Sequence, residues 1–185
     1  PGFFHGLYLF RAESHDAGGL KRHPTFFTEP RGDRDVFEVF YRRMEASLRQ
    51  AVEEVAAIEP YVPDRCRLGF DAEVSSVRWF YHTMRTTANF YESCRRRDAT
   101  AGCSADPDAD RKRWVEVLED EKENTLAALP VARADVRLDF YYGSDHTFPH
   151  LEDMLQAKLV LLDEELIAVR QEGPNPLKPG GPETV

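Results

Sequence analysis

Apolar residues recur at three- and four-residue steps in four stretches of the chain, and this spacing constrains the fold more than any other feature. Such a period aligns side chains along one face of an α-helix. The stretches span about 33–60, 74–97, 107–130 and 147–169. Because each has a single apolar stripe, the sequence predicts a mostly α-helical fold in which four helices bury their stripes against one another.

Prolines and capping residues mark the ends of these helices. Pro60 and Pro130 are predicted to end the first and third helices, because proline lacks the amide that continues a helix. Ser104 or Asp106 is expected to cap the third helix, whose first turn tolerates Pro107. The second helix is predicted to begin near Val74.

The two halves of this region align without a gap at an offset of 70 positions, which is the separation of Arg67 and Arg137. In each half a helix ends at a proline and a connector carrying Arg-Leu-x-Phe follows. The sequence therefore predicts duplicated helix–loop–helix hairpins that form a four-helix array. Chance identity in a composition rich in Glu, Ala, Leu and Arg is the alternative.

The shared connector residues are predicted to be structural, and they are Arg67, Phe70, Arg137 and Phe140. Leu68 and Leu138 would pack under the helices beside the phenylalanines. Each arginine would reach free carbonyls at a helix end or pair with a nearby aspartate, Asp64 or Asp135. Ligand binding by the arginines is the alternative.

Outside the helical region the chain is irregular at both ends. Residues 1–32 are predicted to be a strand and loop segment that belongs to the end of a preceding domain. Residues 33–172 form the duplicated helical domain, and the Pro- and Gly-rich residues 173–185 are predicted to be a disordered tail.

The formal net charge of −9 argues against a nucleic-acid or acidic-membrane surface, because phosphates are bound by exposed Lys and Arg in excess. No apolar run approaches the roughly 20 residues of a membrane span. The three cysteines, Cys66, Cys94 and Cys103, match neither a zinc site nor a disulfide framework and are predicted to be free thiols. Cytoplasmic and exported locations and a homo-oligomer all stay open.

Catalytic and metal-binding motifs are incomplete. His82, His146 and His150 do not have the spacing of a helical metal site, and His82 is predicted to be packed or hydrogen-bonded, so no metal and no cofactor is expected. The acidic run from 116 to 123 is expected to be a solvated helix face. No nucleophile elbow and no phosphate-binding glycine loop is present.

Aromatic and polar residues in the second connector form the one candidate ligand site. Flat faces and hydrogen-bonding groups occur together there, a mixture that suits sugar binding. The predicted binding residues are Tyr141, Tyr142, Asp145 and His146, with Glu73 and Trp79 from the matching part of the first half. Loop packing and helix capping are the alternative.

Four short stretches and one lysine carry a family resemblance. They are 85–90 (RTTANF), 120–124 (DEKEN), 127–130 (AALP), 135–140 (DVRLDF) and Lys158 in the closing leucine-rich helix. This pattern resembles the helical C-terminal regions of large bacterial glycoside-hydrolase-like proteins. The resemblance implies that catalysis belongs to a barrel or other domain outside this chain, on which these helices pack, and it transfers no active-site residue.

The leading hypothesis is an accessory, non-catalytic helical domain of such a carbohydrate-active enzyme, with a preceding catalytic domain or a carbohydrate as its partner. One alternative is a free-standing interaction or oligomerisation module that uses the apolar stripe from Leu151 to Val169. Another is a small metal-dependent helical enzyme. Whether the chain takes part in catalysis is left open by the sequence.

Overall fold

The computed structural model describes residues 34–100, 104–140 and 150–171, and almost all of these are helical. They form α1 (Arg34–Ile58), α2 (Asp64–Asp98), α3 (Pro107–Ala134), the short α4 (Arg137–Phe140) and α5 (Leu151–Gln171), with a 3-10 turn at Glu59–Tyr61. No strand occurs in these ranges, so the predicted mostly-α class with four long helices is confirmed. The predicted N-terminal segment and tail lie outside the described residues.

The start of α3 follows from its sequence. The carboxylate Oδ1 of Asp106 accepts a hydrogen bond from the amide of Ala109 at 3.0 Å, and Pro107 occupies the first turn. The hydroxyl of Ser104 accepts from the amide of Asp106 at 2.9 Å. Both predicted capping residues therefore hold this end, because they satisfy amides that have no partner within the helix.

The start of α2 corrects the sequence analysis. The helix begins at Asp64, directly after the extended Pro63, and not near Val74. Its first turns lack a buried stripe, which is why periodicity missed them, and Leu68 is 87% exposed. The first Arg-Leu-x-Phe sequence is thus part of a helix, and the prediction that it forms a connector with Leu68 packed inside is wrong.

The predicted end of α3 at Pro130 is also wrong, because the helix continues to Ala134. A proline removes the hydrogen bond to the carbonyl four residues earlier, which belongs to Leu126. Leu126 is half exposed, so water can reach that side of the helix. Leu129 and Ala132, on either side of the proline, are buried in the core, and this packing favours continuation.

Each long helix packs against its neighbours along the chain: α1 on α2, α2 on α3 and α3 on α5. The neighbours are antiparallel, since Glu38 near the start of α1 contacts Arg95 near the end of α2. Tyr91 of α2 stacks on two rings of α1, Phe37 and Tyr41, at centroid distances of 5.3 and 5.6 Å. The core between α2, α3 and α5 is lined by Trp79, Trp114, Leu118, Leu151, Leu155, Leu162 and Leu166, among others.

The two predicted connectors differ in structure. Arg67 lies in α2 and donates to the carbonyl of Glu59 at 3.4 Å, whereas Arg137 lies in α4 and forms a two-point ion pair with Asp135 at 2.8 and 2.5 Å. Leu138 is buried, unlike Leu68. Phe70 is partly buried, and the side chain of Phe140 lies outside the described residues. The duplication and the domain boundaries stay predictions.

Candidate functional site

A buried ion pair joins the middle of α3 to α5. Glu121 follows Leu118 on the inward face of α3, and Lys158 lies between Leu155 and Leu162 on the inward face of α5. Glu121 is 0% exposed and Lys158 is 2% exposed, and the lysine Nζ donates to Oε1 of the glutamate. Two charges so removed from water are tolerated only when further hydrogen bonds satisfy them.

Thr86 of α2 supplies the central one of those hydrogen bonds. Its hydroxyl donates to Oε1 of Glu121 at 2.6 Å and accepts from Nζ of Lys158 at 3.2 Å. It also accepts from Nδ2 of Asn124 at 2.9 Å. A hydroxyl has one donor and two acceptor sites, so the full capacity of Thr86 is used.

Asn89 connects the ion pair to α1 and to the solvent edge. Its Nδ2 donates to Oε2 of Glu121 at 2.8 Å and to Oδ2 of Asp120 at 2.7 Å. Its Oδ1 accepts from Arg42 of α1 at 2.6 Å. Asn89 is 0% exposed, and every polar atom of its side chain has a partner. The hydrogen bonds around Glu121 thus reach all four long helices.

His82 completes this cluster on the α2 side. Asn124 donates from Nδ2 to the His82 carbonyl at 2.9 Å, so its Oδ1 is left to accept from Nδ1 of the imidazole at 2.8 Å. Burial lowers the pKa of His82, although the hydrogen bond to Asn124 opposes this shift. His82 is therefore neutral with its proton on Nδ1 at pH 7, and the prediction of a packed or hydrogen-bonded histidine is confirmed.

Arginine–carboxylate pairs surround the cluster where it meets solvent. Arg85 binds Asp120 through two nitrogens at 3.1 and 2.5 Å. Burial raises the pKa of Asp120, but the hydrogen bonds from Arg85 and Asn89 outweigh it and hold this pKa below its ordinary value. Glu92, which accepts from Arg113 at 2.6 Å and from Arg42 at 2.8 Å, has a lowered pKa for the same reason.

We refer to His82, Thr86, Asn89, Glu121, Asn124 and Lys158 as the central polar network. The prediction that the acidic run on α3 is a solvated face holds for the exposed Glu116, Glu119 and Glu123 and is wrong for the buried Glu121. The signal was present, since Glu121 lies at helical spacing from Trp114, Val117 and Leu118. Because the side-chain groups of the network bind one another across helices, the network holds those helices together.

A second polar region lies at the far end of α3, where an open cleft of about 440 Å³ separates the first half of α2 from α4. We call it the end cleft, and its polar lining residues are Glu59, Asp71, Ser75, Arg78, Asp135 and Arg137. Arg137 donates to the carbonyl of Ala72 in α2 at 2.8 Å and so links the two walls. Hydrogen bonds from Arg137 lower the pKa of Asp135, which keeps that carboxylate charged.

The structure describes two of the six residues predicted to bind ligand. Glu73 is exposed on α2, whereas Trp79 is 9% exposed and belongs to the apolar core. Tyr141, Tyr142, Asp145 and His146 lie outside the described residues. Of the cysteines, Cys66 and Cys94 are free thiols, as predicted, and Cys103 lies outside the described ranges.

In the part of the chain that the structure describes, no three His, Cys, Asp or Glu side chains are arranged to hold a metal ion. No helix in these ranges combines the length and the apolar character needed to cross a membrane. Comparisons with known proteins find no matching family model, no characterised relative and no similar solved structure.

Proposed function

We propose that this chain is an accessory, non-catalytic helical domain of a glycoside-hydrolase-like carbohydrate-active enzyme, and that it binds sugar in the end cleft. The observation that carries the proposal is the lining of that cleft. Carboxylates, guanidinium groups and a hydroxyl face an open volume of about 440 Å³, which lies within the range of small-molecule sites. Such groups suit sugars because carboxylates accept hydrogen bonds from hydroxyls and arginines donate to them.

The central polar network supports the accessory role. Two of the stretches that carry the family resemblance meet the resembling lysine in it, through Asn89, Glu121 and Lys158. They bind one another, so their shared purpose is to fix the helices. Catalysis is accordingly assigned to a domain outside this chain.

Two alternatives, an interaction module and a metal-dependent enzyme, have less support from the described residues. The stripe from Leu151 to Val169 is largely buried within the chain, where it packs on α3, and so it does not offer a surface for oligomerisation. His82 donates from Nδ1 to Asn124, and no three His, Cys, Asp or Glu side chains among the described residues are arranged to hold a metal ion. The described residues thus support the proposal better than either alternative.

Calorimetric titration of the purified chain with a panel of oligosaccharides tests the proposal, together with an assay on chromogenic glycosides. Binding without turnover is expected. Asp71→Asn in the cleft should weaken binding, whereas Glu53→Gln, an exposed site on α1, should leave it unchanged. Absence of binding to every oligosaccharide, or hydrolysis by the purified chain, would contradict the proposal. Tyr142→Ala tests separately whether the predicted loop contributes.

A further inference from the structure

The end cleft is lined by an arginine that has no partner among the residues that the structure describes. Arg78 lines the cleft from α2 and is partly buried, yet it forms no hydrogen bond or ion pair with any residue that the structure describes. The other arginines of the described region that lack a partner there, Arg43, Arg49 and Arg65, are exposed. Among the described residues, Arg78 is therefore the partly buried arginine whose guanidinium forms no hydrogen bond or ion pair at all.

The neighbouring charges in the cleft are already matched. Arg137 binds Asp135, and Arg67 lies 3.5 Å from Glu59 and 4.0 Å from Asp71. These pairings leave the carboxylates with oxygens that can still accept hydrogen bonds, while both arginines are engaged. Because Arg67 is shared between two carboxylates, the three arginines and three carboxylates in and beside the cleft balance, and Arg78 is the arginine that pairs directly with none of the described residues.

On this basis we infer that the end cleft binds a hydroxylated monocarboxylate, of which a uronic-acid sugar is the simplest form, and that Arg78 binds its carboxylate. This inference rests on the proposed function and specifies its substrate class. A guanidinium presents two parallel N–H groups that match the two oxygens of a carboxylate. Hydroxyls of the same ligand can donate to the carboxylates of Glu59 and Asp71, which also line the cleft.

The charges of the lining favour a carboxylate over a phosphate. Glu59, Asp71 and Asp135 all face the cleft, so a dianion would be repelled by three carboxylates and attracted by a single arginine without a direct partner among the described residues. A monoanion matches Arg78 alone. Ser75, on the same face of α2 as Arg78, adds a hydroxyl that can donate to the ligand or accept from it.

The test compares each uronic-acid oligosaccharide with its methyl ester, which removes the charge and keeps the sugar framework. Calorimetric titration of the wild-type chain should give affinity for the acid at least about tenfold higher than for the ester, as a charge-assisted two-point hydrogen bond implies. Arg78→Met should remove this preference and leave the affinity for the ester unchanged. Arg78→Lys should restore only part of the preference, because an ammonium cannot form the two-point contact.

Arg65→Met is the matched control, since Arg65 is an exposed α2 arginine without a partner and does not line the cleft. It should keep the full preference for the acid. Equal binding of acid and ester, or a preference that survives Arg78→Met, would overturn the inference while leaving sugar binding intact. Failure of all acids, esters and neutral sugars to bind would overturn both the inference and the proposed function.

Discussion

The central polar network and the end cleft both place charged side chains between neighbouring helices, but they use those charges differently. In the network Glu121 and Lys158 are shielded from water and every neighbour contributes a hydrogen bond. In the cleft the charges face an open volume, and Arg78 has no partner in the part of the chain that the structure describes. Charged side chains of the same types are thus bonded to one another in the network and accessible to a ligand in the cleft.

This difference indicates what each region does. A substitution that removes one member of the buried network leaves its partners without a hydrogen bond, because water cannot replace it there. The stability of the fold should therefore fall with each such substitution. The value of the network is that it fixes the positions of α2, α3 and α5 relative to one another. A half-open cleft with unused donors contributes little to folding and is free to bind. Stability and binding should therefore respond to different substitutions.

Lys158→Met should produce the largest loss of stability, about 3–5 kcal/mol in the free energy of unfolding, because it leaves Glu121 as an unpaired buried charge. Denaturant unfolding of the purified variant measures it. Lys122→Met is the matched control, since Lys122 joins the same two helices through Asp163 at 2.5 Å but its ion pair is exposed. That control should lose less than about 1 kcal/mol. Similar losses of stability in both variants would contradict the distinction between the buried and the exposed ion pair.

Thr86→Val should cost about 1–3 kcal/mol, since the methyl group keeps the shape of the side chain but removes a hydrogen-bond donor to Glu121 and an acceptor for Lys158 and Asn124. Denaturant unfolding again gives the change. Thr87→Val serves as control, because the hydroxyl of Thr87 donates only to the Thr83 carbonyl of its own helix. If Thr87→Val lowers the free energy of unfolding as much as Thr86→Val does, the hydrogen bonds of the network do not stabilise the fold more than a bond within one helix.

The pH dependence of stability should report the protonation of His82. Burial holds its pKa in the folded chain below the ordinary value of 6.5, so the unfolded chain binds the proton more readily. The free energy of unfolding should therefore fall as the pH drops through 6.5, by at most about 1.4 kcal/mol per pH unit for one proton. His82→Gln should reduce this slope when unfolding is measured between about pH 7.5 and 5.5. Identical slopes would contradict the assignment of His82 as partly buried and neutral.

Arg78→Met in the end cleft should have the smallest effect, changing the free energy of unfolding by less than about 0.5 kcal/mol. The methionine keeps the apolar stem, and the removed guanidinium had no partner among the described residues. Thermal and denaturant unfolding both measure it. A loss above about 1 kcal/mol would mean that the guanidinium of Arg78 stabilises the folded chain itself and is not free to bind a ligand.

Local sequence signals predicted the helices well where a stripe or a cap was present. The sequence predicted the apolar stripe of α5 and also the start of α3 at Ser104, Asp106 and Pro107. Both features depend on residues that are close in sequence. The first turns of α2 and the continuation past Pro130 were missed, since both depend on tertiary context. Leu129 and Ala132 pack into the core on either side of that proline, which sequence spacing cannot weigh against the lost hydrogen bond.

The central polar network was partly within reach of the sequence. Glu121 and Lys158 each interrupt an apolar stripe at helical spacing, which is a signal that two opposite charges face each other inside. A run of acidic residues on a helix normally indicates a solvated face, and applying this rule to the whole run missed the buried Glu121. The end cleft could not be predicted, because its walls come from residues more than 60 positions apart, such as Ala72 and Arg137.

Double-mutant cycles test most directly the claim that the middle of α3 is a closed and mutually dependent network. The first cycle combines Glu121→Gln with Lys158→Met, and the second combines Asp163→Asn with Lys122→Met across the same helix pair. We expect a coupling energy of about 1–3 kcal/mol in the first cycle and below about 0.5 kcal/mol in the second. Additive losses in the first cycle, or equal coupling in both, would contradict the claim.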